Sequence, residues 1–361
     1  MCDLKKSLTI NSKFLEKQEL EKFCNSELKK DSISDWEISL YNFILEWIND
    51  DNSIKVKTSG STGKPKIIEI EKEKMVRSAI MTGEFLKLKE GDKTLLCLST
   101  KFIAGKMIVV RAFTLGLNLF TVEPAGNPLQ NIISKFDFAA MVPAQVFNVL
   151  LEKDGIKKLN NIKNLIIGGG PVYQTLEHKI SFLKNKTYLT YGMTETITHI
   201  ALRKLNGENR EENFKCLPGI EIDIDNKDCL VIKAPDLFTG ELRTNDIAKI
   251  FAKNEFTISG RYDNVIISGG IKIFPEDIEK KIENLISENY FISSLPDSKY
   301  GEKIILLIEG KAKSKSEINK LLLVLKKILK LYEVPKEVYF IDEFMRRGNG
   351  KLDRKRTFEK R

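Results

Sequence analysis

The sequence predicts an α/β protein. A large N-terminal domain of mostly parallel sheets flanked by helices, with a small antiparallel β part, precedes a small α+β domain. Three observations carry this. Up to about residue 200, apolar runs of strand length alternate with segments whose apolar residues recur every three to four positions, the pattern of a parallel sheet covered on both faces. Beyond Ile200 the chain reads as short strands joined by Asn, Asp and Gly turns, which favours antiparallel β. From about residue 275, strands and helices mix within a length suited to a small domain. The boundary falls between Arg261 and Asn264, which gives domains 1–262 and 263–361.

Taken in order, "LEKQELEKFCN" and "WEISLYNFILEWIND" read as helices within residues 13–50, because their apolar positions share one face. "IKVKTSG" begins as a strand and runs into a loop. "IIEIEKEKMVRSAIMTGEFLKL" is strand, turn and helix. "KTLLCLST" is a buried strand, "GKMIVVRAFTLG" a helix, "NLFTVEP" a strand and "PLQNIISKF" a helix. "FAAMVPAQVFNVLLEK", "IKNLIIGGG", "TLEHKISFLKN" and "KTYLTYGMTET" continue the alternation. "IEIDIDNKDCLVIKAP", "LRTNDIAKIFAKNEFTISG" and "RYDNVIISGGIKI" supply the antiparallel part. "PEDIEKKIENLISE", "KIILLIEG", "SEINKLLLVLKKILKLYEVP" and "EVYFID" make the last domain.

Composition narrows the function classes. With 42% hydrophobic and 30% charged residues, the 361-residue chain has the make-up of a soluble globular protein. The net charge of +9 raises the question of a nucleic-acid partner. However, lysines alternate with acids, as in "EIEKEK" and "EDIEKKIE", and no basic block carries interleaved aromatics, so none is expected. The C-terminal "RRGNGKLDRKRTFEKR" is the exception. The five cysteines are odd in number and lack CxxC spacing, which argues for a reducing, cytoplasmic setting and against a disulfide framework or a zinc site. "MCDLKKSLTI" has no signal-peptide core, and no apolar run reaches the roughly 18 residues of a membrane span. The two histidines, His178 and His199, have no GxSxG elbow beside them, which argues against a serine hydrolase. Oligomeric state is left open.

The most unusual stretch is "TSGSTGKPK", Thr58 to Lys66. Gly60 and Gly63 let the backbone turn its N–H groups toward a ligand, the hydroxyls add donors and the lysines add charge, a combination suited to phosphate. A Walker A loop needs glycines five apart and a hydroxyl residue after the lysine; here the glycines are three apart and Pro65 follows Lys64. On composition alone the stretch fits a polar turn between strands equally well.

Four further stretches change that balance. "YGMTET" lies at 191–196, "LRTNDIAKI" at 242–250, "GRYDNVIISGGIKIFPEDIE" at 260–279 and "RRGNGKLDRK" at 346–355. Together with the glycine-rich loop, and in this order, they resemble the signatures of the adenylate-forming enzymes, the family of acyl-CoA synthetases, luciferases and peptide-synthetase adenylation domains. The resemblance implies a two-step reaction. A small carboxylic acid attacks the α-phosphorus of ATP to give an acyl-adenylate and pyrophosphate, and a thiol, usually that of CoA, then displaces AMP.

The resemblance also implies roles. Thr58, Ser59, Gly60, Ser61, Thr62, Gly63 and Lys66 would cradle the phosphates. Thr194 would donate to the α-phosphate and Glu195 would bind Mg²⁺, since a hard cation takes carboxylate oxygens. Tyr191 and Gly192 would lie along adenine, with Gly169 and Gly170 of "IIGGGP" forming a wall. Asp246 would accept from the ribose hydroxyls and Arg261 would reach ribose or phosphate. Asp263 would be the hinge of a mobile C-terminal domain, Ser268, Gly269 and Gly270 would approach CoA, and Lys351 would be the catalytic lysine of adenylation. Within the family the chain looks like the short members that join a dicarboxylic aromatic acid to CoA. Lys101, Phe102, Lys106, His199 and Arg203 are the residues considered for the acid. A histidine that many relatives carry in the segment "STKFIAGK" is absent here. Other aryl- or acyl-CoA synthetases, a free-standing adenylation enzyme and a non-catalytic binder of adenylates or, through its basic tail, of nucleic acid are the alternatives.

Overall fold

The computed structural model describes residues 4–57, 67–346 and 352–360. The chain divides into two compact units. One comprises Met1–Val172, Leu176–Glu221 and Lys233–Leu242, the other Tyr173–Thr175, Ile222–Ile232 and Arg243–Arg361.

In the first unit, strands run side by side in the order Phe214–Cys216, His199–Lys204, Lys186–Gly192, Ile162–Ile167, Phe136–Met141, Lys93–Leu96, Asn118–Thr121, Leu8–Ile10 and Lys13–Leu15. The central pairs are parallel, with Ala139 opposite Leu165 and Leu165 opposite Thr187. His199–Lys204 joins antiparallel, so the expected mixture of parallel centre and antiparallel margin is present. Phe136–Met141 and Ile162–Ile167 are almost continuously apolar and buried, as strands covered on both faces must be. From these strands Phe136, Ala139, Met141, Ile162, Leu165 and Ile167 form a core with Val146, Leu159, Leu176 and Ile180.

Among the described residues, helices α1 (Lys17–Glu27), α2 (Asp35–Ile48), α3 (Lys72–Leu86) and α4 (Ile103–Leu115) come before strand Phe136–Met141 in the sequence. At the start of α2 the Ser34 N–H donates to Glu37 Oε2 (3.0 Å), which caps the first turn, and Leu40, Phe43, Ile44 and Trp47 are buried. Unlike α2, α4 is apolar nearly all round, as a core helix should be. Residues 105–113 of α4 are buried without interruption, two cations included.

Two local expectations are corrected. "PLQNIISKF" contains no helix; residues 128–131 form a turn and Phe136 begins a strand. Asn127 explains this, because its Oδ1 accepts from the Leu129 N–H (3.1 Å), a turn that competes with helix, while Leu129 is buried by tertiary contact. Residues 13–15 are a strand rather than the start of a helix. Leu8–Ile10 and Lys13–Leu15 form a hairpin around Asn11 and Ser12, both at positive φ (48° and 68°), the two-residue turn that matches strand twist.

Strands Glu221–Ile224, Cys229–Lys233, Glu241–Ala252 and Glu255–Arg261, most of whose residues belong to the second unit, are neighbours in that order. A second sheet has the order Ile271–Ile273, Ile266–Ser268, Gly301–Glu309 and Tyr290–Asp297, with Glu337–Ile341 added parallel to Gly301–Glu309. Helices Pro275–Ile282 and Lys315–Ile328 pack Ile278, Ile282, Leu325 and Leu329 on it. The second helix is capped by Ser314, whose Oγ accepts from the Glu317 N–H and whose own N–H donates to Glu317 Oε2.

Candidate active site

Strand Lys186–Gly192 ends in a turn that presents two of the family-signature residues. Gly192 is needed there, because a Cβ would lie 2.3 Å from the Thr198 carbonyl oxygen. The turn is wound around buried Thr196. Its Oγ1 accepts from the Met193 N–H (3.0 Å) and donates to the Thr198 carbonyl (2.7 Å), and the Ile197 N–H donates to the Thr194 carbonyl (3.0 Å). Ile197 sits at φ +66°, a left-handed conformation that a β-branched residue adopts only at a cost of about 1–3 kcal/mol. This turn leaves Thr194 half-buried and the Glu195 carboxylate exposed at the C-terminal end of a parallel strand, where open α/β sheets bind ligands. Tyr191 packs against Phe214 with ring centroids 5.8 Å apart. On the adjacent parallel strand, Ile162–Ile167 runs into Gly168, whose Cβ would lie 2.2 Å from Thr190 Oγ1, and Gly169 follows at φ +83°.

Beneath the same turn lies a buried cation that sequence reasoning missed. Arg111 of α4 is 2% exposed. Its Nη2 donates to Thr198 Oγ1 (3.0 Å) and Thr82 Oγ1 (3.2 Å), and its guanidinium lies 5.9 Å from the Phe138 ring centroid. Its buried Nε has no partner, and among the described residues no carboxylate pairs with it. Burial pushes the guanidinium down to about 9, so it is charged at neutral pH. The one signal available was a single arginine in the apolar run "MIVVRAF".

His199 is 5% exposed and touches the same two hydroxyls, Nε2 at 3.3 Å from Thr82 Oγ1 and Nδ1 at 3.3 Å from Thr198 Oγ1. Because Thr82 already donates to the Ser78 carbonyl (3.0 Å), the pattern assigns the imidazole proton to Nε2. Burial first, and then the charge of Arg111, hold His199 well below its usual 6.5. An unfolded histidine takes up a proton below about pH 6.5 that the folded one refuses, so His199 costs stability as pH falls through that point. The slope is about 1.4 kcal/mol per pH unit. Urea midpoints at pH 7.5 and 5.5 should show this loss in the wild type and a reduced loss in His199→Gln; equal losses would count against a neutral buried imidazole.

The remaining residues considered for the acid are engaged differently. Lys101 and Phe102 are exposed, with Lys101 Nζ 3.9 Å from Asp35 Oδ2. Lys106 is buried, 3.3 Å from Glu46 Oε2 and 4.0 Å from the Phe43 ring centroid. Arg203 forks onto Glu177, both contacts at 2.9 Å, and Glu177 also takes Arg210.

In the second unit, three motif residues meet. Asp246 and Arg261 are register partners in the hairpin Glu241–Ala252 and Glu255–Arg261, with Arg261 Nη1 3.5 Å from Asp246 Oδ1. Arg261 Nη2 lies 3.8 Å from Asp263 Oδ2, which also accepts from Asn245 Nδ2 (3.1 Å). Ser268 is followed by Gly269 and Gly270, both at positive φ (58° and 79°), in the tight turn between Ile266–Ser268 and Ile271–Ile273. The loop Thr58–Lys66 and Lys351 lie outside the described residues. Flanking the first, strands Ser53–Lys57 and Ile67–Glu71 pair antiparallel with Lys57 opposite Ile67. Flanking the second, Arg346 and Leu352 form an antiparallel bridge.

A family model described as AMP-binding enzyme matches residues 27–243. The chain belongs to this adenylate-forming family. The match covers more than half of the chain and bears out the resemblance of the motifs at the level of family. Among solved structures, this chain is similar to an acyl-CoA synthetase (AMP-forming)/AMP-acid ligase II-like protein from Dyadobacter fermentans. The two are 35% identical, the match covers 94% of this chain and 98% of that one, and the TM-score is 0.62. The fold is also that of the o-succinylbenzoate coenzyme A synthetase from Bacillus subtilis, solved with ATP and magnesium ion, at 20% identity and a TM-score of 0.71 over 91% of this chain and 78% of that one. A 2-succinylbenzoate–CoA ligase of Lactococcus lactis is 26% identical over 324 residues, which cover 84% of this chain and 70% of that protein. No helix among the described residues is long and apolar enough to cross a membrane.

Proposed function

We propose that the protein is an AMP-forming acid–CoA ligase whose acid is o-succinylbenzoate. Family membership and the order of the five motifs support the adenylation chemistry. The observation that supports this acid is Arg111. A buried guanidinium without a carboxylate partner is costly, and a second substrate carboxylate would supply that partner. o-Succinylbenzoate has two carboxylates, so one can be held while the other reacts, and Arg111 lies against Thr198, four residues beyond Thr194 in the same turn. The names of the relatives in Lactococcus and Bacillus agree with this reading.

In this mechanism ATP, Mg²⁺ and CoA enter as co-substrates and metal. Ser59, Ser61, Thr62 and Lys66 hold the phosphates that leave as pyrophosphate. Thr194 donates to the α-phosphate, and Lys351 stabilises charge between the carboxylate and phosphorus as the bond forms. The exposed Glu195 carboxylate suits Mg²⁺, which takes few protein ligands besides phosphate and water and would screen phosphate charge. Tyr191 offers its ring to adenine, and Asp246, steadied by Arg261, accepts from ribose. The thiol of CoA then displaces AMP, with the backbone of Ser268–Gly270 close to its arm.

Incubation with ATP, Mg²⁺, CoA and o-succinylbenzoate should yield AMP and a thioester in equal amounts. AMP formation from other aryl acids but not this one would overturn the assigned substrate, and no AMP with any acid would overturn the enzyme. A hinge at Asp263, between domains 1–262 and 263–361, belongs to the same reading. Asp263→Pro should slow one half-reaction more than the other, whereas Asp263→Ala, which loses the same carboxylate but keeps the backbone free, should slow both alike. Identical half-reaction ratios in the two variants would remove the hinge.

A further inference from the structure

We propose that helix Lys315–Ile328 and the residues just after it form a docking face for an anionic lipid surface. This stretch is apolar on two sides. Toward the second sheet, Leu321, Leu322, Leu325 and Leu329 pack into a core. Turned away from it are Leu323, Val324 and Ile328, and Leu331 and Tyr332 follow directly, all exposed. Leu331 is 83% exposed and Leu323 59%. A helix lying on a core normally gives its outward side to polar residues, so a cluster of large apolar side chains there marks a surface that binds something.

Charge says what it binds. Lys320 and Lys327 stand three and four residues from Leu323 and Val324, on the same outward side of the helix, and Lys326 and Lys330 border it; all four lysines are exposed. No Asp or Glu lies between Ile318 and Tyr332. The acids at either end of the run are already engaged. The Glu317 carboxylate accepts from the Ser314 N–H (2.9 Å) and hydroxyl (2.6 Å), and Glu333 is buried against Lys281 Nζ (2.8 Å and 3.0 Å). A second copy of this face would set lysines against lysines. Protein interfaces also favour arginine and are depleted of lysine, and this run has four lysines and no arginine. Lysine stems lie along apolar surface while their ammonium groups reach headgroups, and leucine and isoleucine enter the acyl boundary beside them. Lys330 Nζ already lies over the Tyr332 ring, 5.8 Å from its centroid.

The test is co-sedimentation of the full chain with phosphatidylcholine vesicles, with and without about one-third phosphatidylglycerol. Binding should require the anionic lipid and weaken as salt rises from about 0.05 M to about 0.5 M. K320Q/K327Q should bind about twentyfold less tightly, because each lysine near such a surface is worth about fivefold. L323Q/L331Q should lose about tenfold or more, and Leu331→Gln alone about fivefold. These leucine variants keep the net charge of +9, so their loss separates this face from general attraction of a basic protein to anionic vesicles. Leu331 is too exposed for its replacement to disturb the fold, and the thermal midpoint of Leu331→Gln should match that of the wild type. Equal binding to vesicles without phosphatidylglycerol, or wild-type binding by Leu331→Gln and L323Q/L331Q or by K320Q/K327Q, would overturn the proposal. So would a concentration-dependent dimer in sedimentation velocity that L323Q/L331Q abolishes, which would assign the face to a second copy.

Discussion

Lys351→Ala is expected to slow acyl-adenylate formation by about 10²–10³-fold, the range seen when one pre-placed group at a developing anion is removed. The reason is electrostatic. As the carboxylate approaches the α-phosphorus, negative charge accumulates on oxygens that already repel one another, and a fixed ammonium lowers that barrier without reorganising water. On the proposed role, displacement of AMP by a thiol would make no such demand on Lys351, so transfer from a supplied acyl-adenylate should remain within a few-fold of the wild type. Rapid-quench measurement of each half-reaction decides the matter. Equal loss in both would reassign Lys351 to substrate binding or to folding.

Arg111→Met is expected to lower kcat/KM for o-succinylbenzoate by about a hundredfold or more, since truncating one partner of a buried charged pair costs about 2–5 kcal/mol. An analogue that lacks the second carboxylate should react poorly with the wild type and no worse with the variant. The fold should respond in the opposite direction. Without ligand, Arg111 is a buried cation with two hydroxyl partners, one orphaned N–H group and no acid among the described residues. A methionine of similar length removes that desolvation cost, so thermal stability should hold or rise. A variant that melts early, or one that discriminates between the two acids as the wild type does, would show that Arg111 is structural.

Much of the architecture was legible because it depends on local periodicity. "FAAM" and "IKNLII" were read within the strand–helix alternation, and the strands that contain them, Phe136–Met141 and Ile162–Ile167, are parallel neighbours in the sheet. The hairpin across residues 241–261 and the tight Gly269–Gly270 turn followed from turn chemistry. "PLQNIISKF" misled because its apolar spacing is helical while Asn127 closes a turn on Leu129, a side-chain effect that periodicity does not register. The hairpin at Asn11 and Ser12 was missed because both strands are only three residues long.

The candidate site divides along the same line. Residues in contiguous signatures, such as Tyr191, Thr194 and Glu195, or Asp246 and Arg261, were readable because a turn or a hairpin register presents them from one stretch of chain. Arg111 was not. Alone in an apolar helix it reads as a packing irregularity, and its meaning depends on Thr82 from α3, Thr198 and His199 from the turn and Phe138 from a strand.

By itself, then, the order of residues determined the alternation of strands and helices, the turns and the family, because each depends on neighbours a few positions apart. Only the tertiary structure decided which cations have a carboxylate beside them. Lys106 and Arg203 are matched by Glu46 and Glu177, whereas Arg111 meets the hydroxyls of Thr82 and Thr198 and, among the described residues, no carboxylate. The physical reason is that the cost of burying a charge depends on partners brought from distant parts of the chain, and nothing in local spacing reports who those partners are.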